Sequence, residues 1–169
     1  SYFEGNVGTF VDDFGDRLVV RNSHFNGGDW AITADGSDTA EIRNTLFENS
    51  LGDGIKTTKG DKTSSNFLVT GSVFLNNSRD GIDTTGGFRD SVVEDSYFVN
   101  NFLGLDLKSH YAEAAHLGKV ENINILIRGS EFVNNNNAMA ITTLDKTVDN
   151  NWQDYKNSNL FNNENWGEY

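Results

Sequence analysis

Asp53-Gly54-Ile55-Lys56 and Asp80-Gly81-Ile82-Asp83 are near copies of one tetrapeptide, and Leu103-Gly104-Leu105-Asp106-Leu107-Lys108 varies the same theme. If the three segments lie side by side as strands, about 4.8 Å apart, Asp53 falls beside Asp80 and Asp83 beside Asp106. Carboxylates that close repel one another unless a positive charge sits among them. Calcium suits the task, because it takes six to eight oxygens and accepts irregular geometry. Asp53, Asp80, Asp83 and Asp106 are therefore candidate calcium ligands. No linear EF-hand loop occurs in the sequence, so such a site has to be assembled across repeats.

Lys56 and Lys108 flank the same acidic stripe. A lysine works as a base only where a desolvated or cation-rich pocket favours its neutral form. A calcium ion supplies such a setting, and it also draws electron density from a uronate carboxylate and so acidifies C5–H. Arg79 and Arg89 are candidates to neutralise the enolate that follows. Removal of that proton opens both elimination and epimerisation. His110 and His116 are further acid–base candidates. A pair drawn from Asp80, Asp83 and Asp106 also suits metal-free glycoside hydrolysis, which needs two carboxylates at a set separation. The plainer reading is that the lysines form surface salt bridges and that Asp-Gly is a turn pair.

The elements that position these residues follow from a longer repeat. The phrase Ser-x-Phe-x-Asn-Asn recurs, with variations, around Phe3, Phe25, Phe47, Phe74, Phe98, Phe132 and Phe161. Its copies are 22 to 34 residues apart, which suits one coil of a solenoid. Five residues before the anchor stand Val20, Ile42, Val69, Val93 and Ile127, and seven before stand Leu18, Ala40, Phe67, Ser91 and Ile125. These columns share strand parity and are expected to face inward. Arg21, Arg43, Thr70, Glu94 and Arg128 are expected to face out. Asn22, Asn44, Gly71, Asp95 and Gly129 mark one bend, and the asparagines after each anchor mark a second. A third short strand carries Val11, Ile32, Ile55, Ile82, Leu105 and Ile141 as its inward residues.

One coil thus holds about three short strands. Stacking them gives an all-β, right-handed parallel β-helix of about six to seven coils, in one domain over residues 1–169. The leucine pattern that leucine-rich repeats need is absent, propeller blades are longer, and a β-sandwich is the bland alternative. An insertion at about 107–120 is expected to form a loop, with a helical turn over Ala112 to Leu117. A second insertion spans Lys59 to Ser65. Trp152, Tyr155, Trp166 and Tyr169 are expected to cap the core at one end.

Composition narrows the partners. Lys plus Arg is 13 and Asp plus Glu is 25, so the net charge is 13 − 25 = −12. No nucleic acid is expected as a partner, because phosphate binding needs a basic surface. An acidic polysaccharide requires a bridging cation. Cysteine is absent, which removes a disulfide scaffold and leaves a secreted or extracellular location open. Proline is absent too, as expected where nearly every strand is flanked on both sides. No apolar run reaches the length of a membrane span. The text opens inside a repeat, so another domain or chain is expected to cover the N-terminal coil.

The coil text, with Asp-Gly-Ile-Lys followed one coil later by Asp-Gly-Ile-Asp, resembles pectate lyase family nine among the right-handed β-helix polysaccharide lyases. The resemblance implies calcium held by carboxylates of successive coils, a lysine base, and β-elimination on an acidic, uronate-containing glycan. It carries calcium roles to Asp53, Asp80 and Asp83. Arg79 stands where the family has a further acid. The family's lysine position falls on Asp106, and Lys108 is the nearest lysine on the same strand face. A noncatalytic carbohydrate-binding or adhesin-type β-helix shares the same text.

Overall fold

The computed structural model describes residues 1–13, 15–57, 64–85, 87–108, 122–142 and 160–161. Strands of three to seven residues, with two two-residue strands, Ser64–Ser65 and Leu160–Phe161, build three sheets around one apolar core, parallel throughout except where Leu160–Phe161 joins. The fold is a right-handed parallel β-helix, the hand that parallel crossover connections adopt. Among the described residues, no helix is long and apolar enough to cross a membrane.

The first sheet stacks Tyr2–Glu4, His24–Asn26, Leu46–Glu48, Val73–Leu75, Tyr97–Val99 and Glu131–Val133. Its register puts every anchor phenylalanine directly on the next. The rings of Phe3, Phe25, Phe47, Phe74, Phe98 and Phe132 form one ladder, with centroids 4.6–5.3 Å apart and planes within 9° of parallel. The ring spacing copies the strand spacing, and the middle rings are completely enclosed.

The rest of the phrase satisfies the backbone at the two corners beside this sheet. The serine hydroxyls form one column. Ser72 Oγ accepts from Thr45 N at 3.3 Å, Ser96 Oγ from Ser72 N at 3.2 Å, and Ser130 Oγ from Ser96 N at 3.3 Å. The second asparagine of each pair forms another. Asn101 Oδ1 accepts from the backbone and side-chain nitrogens of Asn77 at 3.1 and 2.9 Å, while Asn101 Nδ2 donates to the Phe74 carbonyl at 3.0 Å. Asn135 repeats the pattern on Asn101 and Phe98. The first asparagine turns the chain instead: Asn49, Asn76, Asn100 and Asn134 hold φ of 53–58°, a left-handed conformation that asparagine tolerates.

The second sheet runs Leu18–Arg21, Ala40–Arg43, Phe67–Thr70, Phe88–Glu94 and Asn122–Arg128, and Ser64–Ser65 pairs beside Phe88 and Arg89. Val20, Ile42, Val69 and Val93 are buried and Ile127 packs on the same core. The next column out forms ion pairs, Arg21 with Glu41 at 2.6 Å and Arg128 with Glu94 at 2.6 Å. The bend column Asn22, Asn44, Gly71, Asp95 and Gly129 is left-handed throughout, with φ of 48–60°.

The third sheet stacks Thr9–Asp13, Trp30–Ala34, Ile55–Thr57, Asp80–Asp83, Leu103–Lys108 and Asn137–Thr142. Ile32, Ile55, Ile82 and Leu105 fill its inner column.

Three expectations change. Leu105 pairs with Met139, so the inner column continues through Met139 and Ile141 lies level with Leu107. The seventh copy of the phrase does not stack on the phenylalanine ladder: Leu160–Phe161 pairs antiparallel with Met139 and Ala140 in the third sheet. Among the described residues, five turns therefore carry all three strands, preceded by a partial turn of two. Finally, Leu107 and Lys108 continue a strand, so no loop starts before residue 109. The expected helical turn, His110, His116, residues 58–63 of the second insertion, Trp152, Tyr155, Trp166 and Tyr169 lie outside the described residues.

Candidate metal and carboxylate site

The tetrapeptide register is the one its sequence predicts. Ile82 pairs with Ile55 and Leu105, and Asp83 lies between Lys56 and Asp106. The glycines have a packing role rather than a turn role. A Cβ on Gly81 would stand 2.5 Å from Phe98 Cδ1 and 2.6 Å from the Gly104 carbonyl, and Gly54 and Gly104 meet Phe74 and Phe132 in the same way. The phenylalanine ladder thus presses on the column that follows each aspartate, and glycine is what lets the strand pass.

One carboxylate oxygen each from Asp53, Asp80 and Asp83 lies within 4.8 Å of the other two. Asp53 Oδ1 accepts from the Asp80 backbone nitrogen at 3.0 Å, which locks two successive coils together. Its other oxygen, Oδ2, accepts from Trp30 Nε1 at 3.2 Å. Asp83 Oδ1 accepts from Thr85 N at 2.9 Å and Thr85 Oγ1 at 2.7 Å. Lys56 Nζ stands 3.3 Å from Asp83 Oδ2 and 3.6 Å from Asp53 Oδ2, and 5.4 Å from the centre of the Trp30 ring.

The stripe is not the solvated outer surface that alternation suggests. Asp53, Asp80, Asp83 and Asp106 are all buried, none more than 4% exposed. Asp106 is the register partner of Asp83 but lies outside the three-carboxylate group. Arg79 is exposed and immediately precedes Asp80, with its backbone nitrogen on the Gly52 carbonyl at 3.1 Å. Arg89 is exposed on the second sheet, level with Ser65, and so belongs to a different face from the aspartates. Lys108 ends the strand above Asp83, and only its backbone is described; it pairs with Thr142.

Trp30 is the residue that the phenylalanine alignment misses. It stands five residues after Phe25, whereas Asp53 and Asp80 stand six after Phe47 and Phe74. Aligning on Ile32 and Ile55, which are true register partners, brings Trp30 level with Asp53.

The donor set fits a hard cation. Calcium binds oxygen at about 2.3–2.6 Å, so two ligands of one ion stand no more than roughly 5 Å apart, and the three oxygens, all within 4.8 Å of one another, meet that limit. All three donors are carboxylates: Asp80 and Asp83 begin and end one strand, and Asp53 lies two residues before the strand Ile55–Thr57.

No curated protein and no solved structure matches the chain. Residues 7–167 match the family model described as a right handed beta helix region, and on that match the chain belongs to this β-helix family.

Proposed function

We propose that the chain is a calcium-assisted lyase that cleaves an acidic, uronate-containing glycan by β-elimination. The observation that supports it is the convergence of Asp53, Asp80 and Asp83 oxygens within 4.8 Å, with the Lys56 amine 3.3 Å from Asp83 Oδ2. Asp53, Asp80 and Asp83 hold the ion. Bound calcium would bridge the glycan's carboxylate to an acidic protein and acidify C5–H. Lys56 takes the C5 proton, the C5–H electron pair forms the C4–C5 double bond, the C4–oxygen bond breaks, and the leaving oxygen departs with that bond's electrons and takes a proton from water. Arg79 immediately precedes the Asp80–Asp83 strand and neutralises the charge that develops on the uronate. Lys108, on the next coil, is the alternative base. Arg89 has no part in the step from its place on the second sheet. The protein acts outside the cell, where such glycans occur.

The test is incubation with a panel of uronate polysaccharides, with calcium or with a chelator, following the ultraviolet absorbance of unsaturated uronate ends. The expected result is calcium-dependent product that Lys56→Ala and Asp80→Asn both abolish. Product formation unaffected by Lys56→Ala and by Lys108→Ala would sink the lyase reading.

A noncatalytic β-helix segment is the second reading. The burial of all four aspartates favours it, because a buried carboxylate group tied by one lysine also serves to join coils. Silence across the whole panel, with Asp80→Asn lowering only the melting temperature, is its expected signature.

A further inference from the structure

Lys56 Nζ already occupies the space between two of the three carboxylates, 3.3 Å from Asp83 Oδ2 and 3.6 Å from Asp53 Oδ2. We propose that Lys56 is a tethered cation that closes the aspartate group when no divalent ion is bound, and that calcium must expel it to enter. The inference rests on the calcium reading above, and it concerns what the chain itself puts in the metal's place.

The division of oxygens supports it. Asp53 Oδ1 is held by the Asp80 backbone nitrogen, and Asp83 Oδ1 by Thr85 N and Oγ1. The opposite oxygens, Asp83 Oδ2 and Asp53 Oδ2, the latter also accepting from Trp30 Nε1, are the two that the lysine faces. An ion entering the group and the ammonium therefore seek the same atoms. Two positive charges a few ångströms apart in a partly buried site repel strongly, so they exclude one another.

Expulsion has a route. The Lys56 side chain is 18% exposed, while the carboxylates beside it are almost fully covered. Its four-carbon stem swings the amine by rotation about single bonds. The carboxylates are held in place by the Asp80 and Thr85 donors on their Oδ1 atoms and stay behind. The wild-type affinity for calcium is then lowered by the population of the lysine-closed state, and the amine that leaves is delivered next to the bound ion.

The experiment is calorimetric titration of calcium chloride into the full chain and into the K56M and K56Q variants, each first checked for a native circular dichroism spectrum. Two substitutions are used so that one poorly folding variant does not decide the matter. Removal of the tethered charge is expected to tighten calcium binding by about tenfold or more. Binding by K56M or K56Q alone, with none by the wild type, also supports the proposal. Equal or weaker binding in both variants, with clear binding by the wild type, overturns it and leaves the calcium reading standing. An absence of binding in all three proteins overturns the calcium reading and this proposal together.

Discussion

Trp30 Nε1 donates to Asp53 Oδ2 at 3.2 Å across adjacent coils, and the face of the same indole lies 5.4 Å from Lys56 Nζ. One side chain thus orients a carboxylate by its edge and attracts that carboxylate's counter-ion by its ring. Trp30→Phe keeps the ring and deletes the donor. The expected cost is about 1–3 kcal/mol of stability, for loss of a hydrogen bond to a charged group. Chemical denaturation of the two proteins measures it, and a change below a few tenths of a kcal/mol would show that the bond is incidental.

The phenylalanine ladder predicts a gradient. Phe74 stacks on Phe47 and Phe98 and is fully buried, whereas Phe3 is only partly buried and stacks on Phe25 alone within this ladder. Phe74→Ala is expected to cost about 3–5 kcal/mol. Phe3→Ala is expected to cost clearly less, because less apolar surface leaves water at that end. Urea unfolding of both variants reads the difference, and equal losses would contradict it.

Adjacent asparagines with opposite duties predict opposite responses. Asn101→Ala strands the Asn77 and Phe74 backbone groups that it serves, at about 1–3 kcal/mol for each buried group left unsatisfied. Asn100→Gly keeps the left-handed turn at φ 55° and loses one exposed bond to Asn76 at 3.1 Å, so its melting temperature is expected to stay near that of the wild type. Thermal unfolding followed by circular dichroism separates the two.

Glu41 gives the expected acid response. Hydrogen bonds from Arg43 and then Arg21 hold its carboxyl below the ordinary glutamate value. A group depressed in the folded state binds its proton more readily when unfolded. Its stabilising contribution is present above the unfolded value, about 4.3, and is lost as pH falls through the lower folded one. Glu41→Gln lacks that contribution at every pH. Melting temperatures of the two proteins are expected to differ slightly near neutrality and to converge in acid; a gap that widens on acidification would refute the assignment.

The fold was legible because its period is written in residue types with separate physical duties. Phenylalanine marks the ring ladder, serine and the second asparagine mark the bonded corners, and the first asparagine marks a left-handed turn. Parity told inside from outside at Val20, Ile42 and Val69. The site was legible only in part. Register predicted that Asp53 and Asp80 meet, but alternation alone gave no sign that Asp83 and Asp106 would be buried. Trp30 stayed hidden behind a one-residue difference in corner length. Phe161 misled because a two-residue match carries no information about which sheet the strand joins. Arg89 falls on the second sheet because the chain changes sheets between Asp83 and Phe88, which the sequence did not mark.

Both long insertions arise at the same corner. Residues 58–63 and 109–121 each lie between a strand of the aspartate sheet and the next strand of the second sheet. After the first, Ser64 and Ser65 fall in register beside Phe88 and Arg89, and after the second Ile125 and Ile127 pair with Ser91 and Val93. Because each coil takes its alignment from its immediate neighbours, that corner accepts added length without a cost elsewhere. It is a natural graft point: peptide added between those two sheets leaves the register of the flanking strands intact.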